Sequence, residues 1–155
     1  MSDLPPLLRP EAVRIGAPAA TKKALFVQFG ALAAAAFGLE AAPVADRLAA
    51  REKLGSTGFG GGVAIPHAKL PGLAQVTGML LRLAHPIEFK AVDALPVDLA
   101  FALLSPTDAG AEHLKALARV SRRLRDEAFV AKLRGAASPD ALWALWVEGA
   151  PRAAA

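Results

Sequence analysis

Pro66-His67 follows the short apolar run Val63-Ala64-Ile65, and that run follows the glycines Gly58, Gly60, Gly61 and Gly62. A strand, a proline that fixes the exit angle and then an imidazole present one ring nitrogen in a fixed direction. Glycines leave backbone N–H groups accessible, which suits an anion held beside that imidazole. Ser56 and Thr57 would reinforce such a loop. Arg51, in the last turn of the helix that feeds it, brings a guanidinium whose rigid fork of donors matches phosphate oxygens. Arg47, one turn earlier, shares the face, and a plain surface arginine remains an alternative for either. The pattern points to chemistry on phosphate.

Familiar nucleotide loops do not fit. No Gly-Lys-Ser/Thr follows the cluster, so it is not a Walker A loop. A dinucleotide fingerprint opens a helix after a strand, whereas these glycines follow a helix and open a strand. A tight turn and an anion-cradling loop both stay open; in the second case Ser56, Thr57, Gly58, Gly60 and Gly61 form the cradle.

The other two histidines are read from their surroundings. His85 precedes Pro86 where a strand gives way to a turn, and exposed loop polarity accounts for it. His113 lies four, seven and eleven residues before Leu117, Val120 and Leu124, so it shares the inward edge of a helix near its start. A hydrogen-bonded core histidine and a site residue both fit that position. The three histidines have none of the short ligand spacings of zinc sites and no obvious carboxylate companion, so no metal is expected.

The elements that must position these residues alternate helix and strand. A short strand is expected near Ala12 to Ile15, then a helix from Lys22 to Ala36 with Thr21 as N-cap and Leu25, Phe29, Leu32 and Ala36 facing inward. Pro43 suits the first position of a second helix running through Val44, Leu48 and Arg51 to about Leu54, with Gly55 ending it. Strands are expected at Val63 to Ile65, Val76 to Leu83 and Val97 to Leu104; the last is apolar on both faces, as a central strand between helix layers must be. Ser105-Pro106-Thr107-Asp108 reads as a helix start, capped by Ser105 or Thr107. The helix from about Asp108 to Arg125 would carry Leu114, Leu117, Val120 and Leu124 inward. A last helix follows Ser138-Pro139, with Leu142, Trp143, Leu145 and Trp146 packing into the core. The fold class is α/β, a mixed parallel and antiparallel sheet sandwiched between helices.

Composition sets the outer limits. A chain of 155 residues is expected to form one domain over 1–155, with an ordered core at about 7–148 and flexible tails. Without cysteine there is no disulfide and no thiol nucleophile, which is compatible with a reducing cytoplasm. Lys22-Lys23, the apolar run Ala24 to Leu39 and Ala41-Ala42-Pro43 imitate a secretory signal. The run begins behind a proline-rich start and is broken by Gln28, Gly30 and Gly38, so a core helix is expected and no membrane insertion. The net charge of +4 raises the question of nucleic acid. Its basic residues gather in Arg119, Arg122, Arg123, Arg125, Lys132 and Arg134, interrupted by Asp126 and Glu127 and not interleaved with aromatics as a base-stacking surface is. A solvated helix face is expected, and no nucleic-acid partner.

Arg51-Glu52-Lys53-Leu54-Gly55-Ser56-Thr57-Gly58, continuing through Val63-Ala64-Ile65-Pro66-His67-Ala68-Lys69-Leu70, resembles the active-site signature of the enzyme IIA domains of the phosphoenolpyruvate:sugar phosphotransferase system, fructose/mannitol type. The likeness is greatest to the nitrogen-regulatory branch. Thr21-Lys22-Lys23-Ala24-Leu25 is similar to the start of the family's first helix, Pro96 to Leu104 to a central strand, and His113-Leu114 to the second active-site histidine. The resemblance implies that His67 receives a phosphoryl group from a histidine phosphocarrier protein (HPr- or NPr-like), with His113 beside that group, Arg51 holding it and no cofactor. Gly61 departs from relatives that often carry a polar residue there, and Ala68 replaces a common glycine. A phosphohistidine that must reach a second protein should lie in a shallow depression with an apolar rim, for which Phe59, Ile65 and Leu70 are candidates. No attached IIB or membrane IIC region is expected, and a regulatory phosphocarrier is expected ahead of a sugar-transport IIA passing phosphate to IIB.

Overall fold

The computed structural model describes residues 7–148. The expected flexible tails, 1–6 and 149–155, lie outside the described residues. The chain runs β1 (Leu8–Ala17), α1 (Lys22–Phe37), α2 (Ala41–Glu52), β2 (Gly58–Gly60), β3 (Val63–Ala64), β4 (His67–Leu70), β5 (Thr77–Ile87), β6 (Val97–Pro106), α3 (Ala111–Leu124), α4 (Glu127–Arg134) and α5 (Pro139–Glu148). The sheet has the order β1-β5-β6-β3-β2, with β4 also on β6. β1 pairs β5 in parallel, β5 pairs β6 antiparallel, and β3 and β4 both run parallel to β6. The mixed α/β sheet between helices is as the sequence predicts.

β6 is the spine because its residues can be buried on both faces. Leu99 to Leu104 are all fully buried, and Phe101 stacks on Trp146 of α5 at a centroid distance of 4.8 Å. Burying such a run removes each leucine or phenylalanine from water at about 25 cal/mol per Å² of apolar surface, the main driving force of the fold. α1 packs on α2 and on β1 and β5, while α2 reaches β4.

Local signals explain most boundaries. Thr21 Oγ1 accepts from Ala24 N–H at 3.1 Å, and Gly38 closes α1 in the left-handed conformation. Ser138 Oγ accepts from Ala141 N–H at 3.1 Å and opens α5. Trp146 is buried, and the half-buried Trp143 donates its indole N–H to Leu8 O at 2.9 Å. β1, β5 and β6 extend the expected strands by a few residues, because pairing partners continue past the apolar stretch. His85 is exposed, but it lies within β5.

Several expectations need correction. α2 begins at Ala41, with Pro43 inside its first turn, and it ends at Glu52 with Lys53 as C-cap; Pro43 is tolerated there because first-turn N–H groups have no helical partner. The strand at 63–65 is shorter, and His67 opens a further strand, β4. Pro66 has no N–H to donate, yet its carbonyl accepts from Leu103 N–H at 2.9 Å, so pairing with β6 resumes at once. The glycine cluster is a hairpin: β2 and β3 pair antiparallel across Gly61 and Gly62, both at positive φ (67° and 80°), as a tight two-residue turn demands.

The helix expected from Asp108 starts at Ala111, because Ser105 and Pro106 still belong to β6 and Gly110 takes the N-cap. Leu114 is 66 % exposed rather than inward; the buried face of α3 is His113, Ala116, Val120 and Leu124. α3 is followed by α4, which the sequence reading missed: Asp126 is its N-cap, accepting from Ala128 and Phe129 N–H. The basic run is not wholly a solvated face. Arg123 stacks on Phe129 and Trp146 and donates to Trp146 O. Arg125 lies over Phe59, and Arg134 pairs with Asp98 at 2.8 Å. Among the described residues, no helix is long and apolar enough to cross a membrane.

Candidate functional site

His67 takes its position from two backbone facts. The Ile65-Pro66 step interrupts the strand, and pairing of His67 with Leu103 of β6 fixes the residue again. Its Nδ1 lies 2.9 Å from Ile65 O. A carbonyl only accepts, so Nδ1 carries the hydrogen, and a neutral ring then has its lone pair on Nε2. Arg51, half-buried in the last turn of α2, donates Nε–H to that Nε2 at 3.2 Å and Nη1–H to Gly55 O at 2.9 Å. The guanidinium therefore already sits at the nitrogen where a bond would form.

His113 approaches from the start of α3, with its ring centroid 5.6 Å from that of His67. Both rings line one cleft with Asp46, Arg47, Ala50, Arg51, Leu54, Ala68 and Lys69. Arg47 Nη1 donates to Lys69 O at 3.3 Å, tying α2 to β4. Most of the lining is exposed, so the cleft is shallow; its apolar part is Ala50, Leu54 and the buried Ala68, with Leu54 84 % exposed. The expected rim of Phe59, Ile65 and Leu70 does not line it. Ile65 and Leu70 are core residues, and Phe59 lies under Arg125.

The glycine hairpin also differs from expectation. None of Ser56, Thr57, Gly58, Gly60 and Gly61 lines the cleft. Three of their amides are not bare: Thr57 N–H binds the Glu52 carboxylate, Gly58 N–H binds Ser56 Oγ at 3.1 Å, and Gly61 N–H binds Asp93 Oδ2 at 2.9 Å. Neighbouring polar side chains take up these three donors, and the Arg and Lys side chains that line the cleft are Arg47, Arg51 and Lys69.

Glu52 is a residue that sequence reasoning missed. Its carboxylate is buried and accepts from Thr57 N–H at 3.1 Å, Thr57 Oγ1 at 2.5 Å and Lys22 Nζ at 2.9 Å. This network fixes the turn between α2 and β2, and with it the carbonyl of Gly55 that holds Arg51. A signal was present: Val44, Leu48 and Glu52 recur every four residues, so Glu52 falls on the buried face of α2. Among the described residues no group of three or more His, Cys, Asp or Glu side chains is arranged to hold a metal.

Burial lowers the proton affinity of His67 below the usual 6.5; the hydrogen bond to Ile65 O opposes this, and the Arg51 charge adds to it. His113 is lowered by burial, then by His67 and Lys69. Both rings are therefore neutral at neutral pH. The linkage has a definite sign. The unfolded chain binds protons on these histidines near pH 6.5, and the folded chain binds them only at lower pH. Their contribution to stability is complete above about pH 6.5 and is lost as pH falls through the folded-state values. Urea midpoints measured between about pH 8 and about pH 5 are expected to fall, with at most about 1.4 kcal/mol per pH unit for each proton taken up. The fall should be shallower in His67→Gln. An equal slope in that variant would show that His67 does not contribute.

Residues 6–148 match the model of the family described as phosphoenolpyruvate-dependent sugar phosphotransferase system, EIIA 2. A protein named nitrogen regulatory protein from Bradyrhizobium diazoefficiens is 45% identical over 139 residues, 90% of this chain and 91% of that protein. The crystal structure of nitrogen regulatory protein IIA-Ntr from Neisseria meningitidis superposes with a TM-score of 0.83 at 37% identity, covering 90% of this chain and 95% of that one. Mannitol IIA from Escherichia coli shares the fold, with a TM-score of 0.74 at 20% identity over 89% of this chain and 97% of its own. A mixed sheet between helices, a histidine at a strand break and near-complete coverage agree: the chain belongs to the EIIA 2 family of the phosphoenolpyruvate-dependent sugar phosphotransferase system.

Proposed function

We propose that His67 accepts a phosphoryl group from a phosphorylated histidine phosphocarrier protein, and that the chain acts in the cytoplasm as a regulatory IIA of the nitrogen or potassium type. The observation that carries this is the His67 ring itself, with Nδ1–H on Ile65 O and the Nε2 lone pair facing an arginine in a shallow cleft. In the transfer, Nε2 attacks phosphorus in line, the phosphorus–nitrogen bond of the donor breaks, and the donor ring leaves with the bonding pair. The transition state is loose, so the protein's task is to position groups and stabilise charge. Arg51 exchanges its bond to Nε2 for bonds to the phosphoryl oxygens, and His113 lies close enough to donate to them. The donor is itself a phosphorylated protein, so the reaction calls for no further cofactor.

The relatives named nitrogen regulatory protein favour regulation over transport. The test is incubation with phosphoenolpyruvate, enzyme I and a histidine phosphocarrier protein. Acid-labile, base-stable phosphate on the wild-type chain is expected, and its absence would overturn the proposal. Rapid loss of the label to an added sugar-specific IIB would instead favour the transport reading. His113→Ala should accept phosphate about tenfold to a hundredfold more slowly, the value of one hydrogen bond to a charged group, with the fold retained. Unchanged kinetics would make His113 a packing residue only.

A further inference from the structure

Ser105 and His113 form a buried pair behind the cleft. Ser105 has no exposed surface, and its Oγ lies 2.7 Å from Nδ1 of His113, which is 8 % exposed. The hydroxyl is not spent on capping, since α3 starts six residues later behind Gly110. Two proton placements are conceivable. If Nδ1–H donated to Oγ, the hydroxyl hydrogen would need a buried acceptor, and Ser105 Oγ has no second partner among the described residues. If Oγ–H donates to Nδ1, every buried donor of the pair is used and only an acceptor lone pair is idle. A stranded buried donor costs about 1–3 kcal/mol, so the second placement wins. A neutral ring that accepts on Nδ1 carries its proton on Nε2. That nitrogen has no protein partner among the described residues, and the ring lines the cleft beside His67.

We propose that Ser105 is a positioning residue whose hydroxyl, by donating to His113 Nδ1, keeps the His113 Nε2–H available to the group carried on His67. This rests on the phosphoryl-transfer reading above for its purpose, although the proton placement does not. With the opposite tautomer a lone pair would meet the phosphoryl oxygens and repel them. The same hydrogen bond removes His113 as a competing nucleophile, because its remaining nitrogen is protonated.

Long-range proton–nitrogen correlation spectra of the unphosphorylated, nitrogen-15-labelled chain at mildly alkaline pH report the tautomer directly. The Nε2–H form of His113 is expected in the wild type, and the Nδ1–H form there would overturn the proposal whether or not any variant folds. Ser105→Ala should convert His113 to a mixture of tautomers while His67 stays in its Nδ1–H form. It should slow phosphate acceptance about threefold to tenfold, a neutral hydrogen bond's worth. Added to His113→Ala, the same substitution should slow transfer no further, since the hydroxyl acts only through that ring. An additional loss in the double variant would mean that Ser105 supports β6 and nothing more. A wild-type chain that shows the expected tautomer yet takes no phosphate would sink the proposed function and leave the proton placement standing.

Discussion

His67→Gln is expected to abolish phosphate acceptance, leaving no detectable acid-labile label after incubation with the full donor chain. Two histidines share the cleft, so the choice between them must come from their hydrogen bonds. His67 gives its Nδ1–H to a carbonyl and turns a lone pair to Arg51. His113 has its Nδ1 occupied by a buried hydroxyl, and it is the more buried ring. Only His67 offers an accessible nucleophilic nitrogen in the neutral state. Glutamine preserves polarity and approximate volume while removing that nitrogen. The side chain is half-buried and lines the cleft, so far-ultraviolet dichroism and the melting temperature at neutral pH should stay close to wild type. Label that persists in a folded His67→Gln chain would reassign the phosphorylated residue; mass spectrometry would then be expected to find it on His113.

What the sequence disclosed was what short range decides. Thr21 and Ser138 cap helices through residues three positions on, and Pro66 with His67 marks a strand break regardless of the rest of the chain. The alternation of helix and strand was enough for the fold class, because a strand apolar on both faces, such as Val97 to Leu104, requires cover on both sides. What stayed hidden depends on partners far along the chain. Gly61 looked like part of an anion cradle with Ser56, Thr57, Gly58 and Gly60, but Asp93, thirty-two residues on, takes its amide. Ser105 looked like a cap until His113 was seen to claim its hydroxyl. β4 is too short for periodicity to reveal, and it exists because β6 offers an open edge beyond Pro66. Arg51, His67 and His113 were each legible one by one. Their convergence was not, since it takes α2, β4 and α3 packed around one cleft.

Arg51→Ala is expected to slow transfer to His67 about a hundredfold to a thousandfold, the usual loss when one preorganised donor at a site of developing charge is removed, or about 2.7–4 kcal/mol. The structure gives the residue unusual leverage. Its Nη1 is anchored on Gly55 O while its Nε points at the reacting nitrogen, so a planar donor group is held in place before any phosphate arrives. That anchor depends in turn on the loop fixed by Glu52, Thr57 and Lys22. Arg51→Lys separates charge from geometry: an ammonium restores the positive charge, but it cannot bond to Gly55 O and to the phosphoryl oxygens in one plane. Its rate should therefore fall between those of Arg51→Ala and the wild type. Removing the arginine also removes a charge that disfavours protonation of His67. The titration of His67, followed by proton NMR, should move to higher pH in Arg51→Ala and return towards the wild-type position in Arg51→Lys. Single-turnover transfer from the phosphorylated carrier measures the rates. If Arg51→Ala transferred at the wild-type rate while its His67 titration shifted as expected, Arg51 would tune the resting ring without stabilising the transferred group. An unchanged rate with an unchanged titration would remove Arg51 from the site altogether.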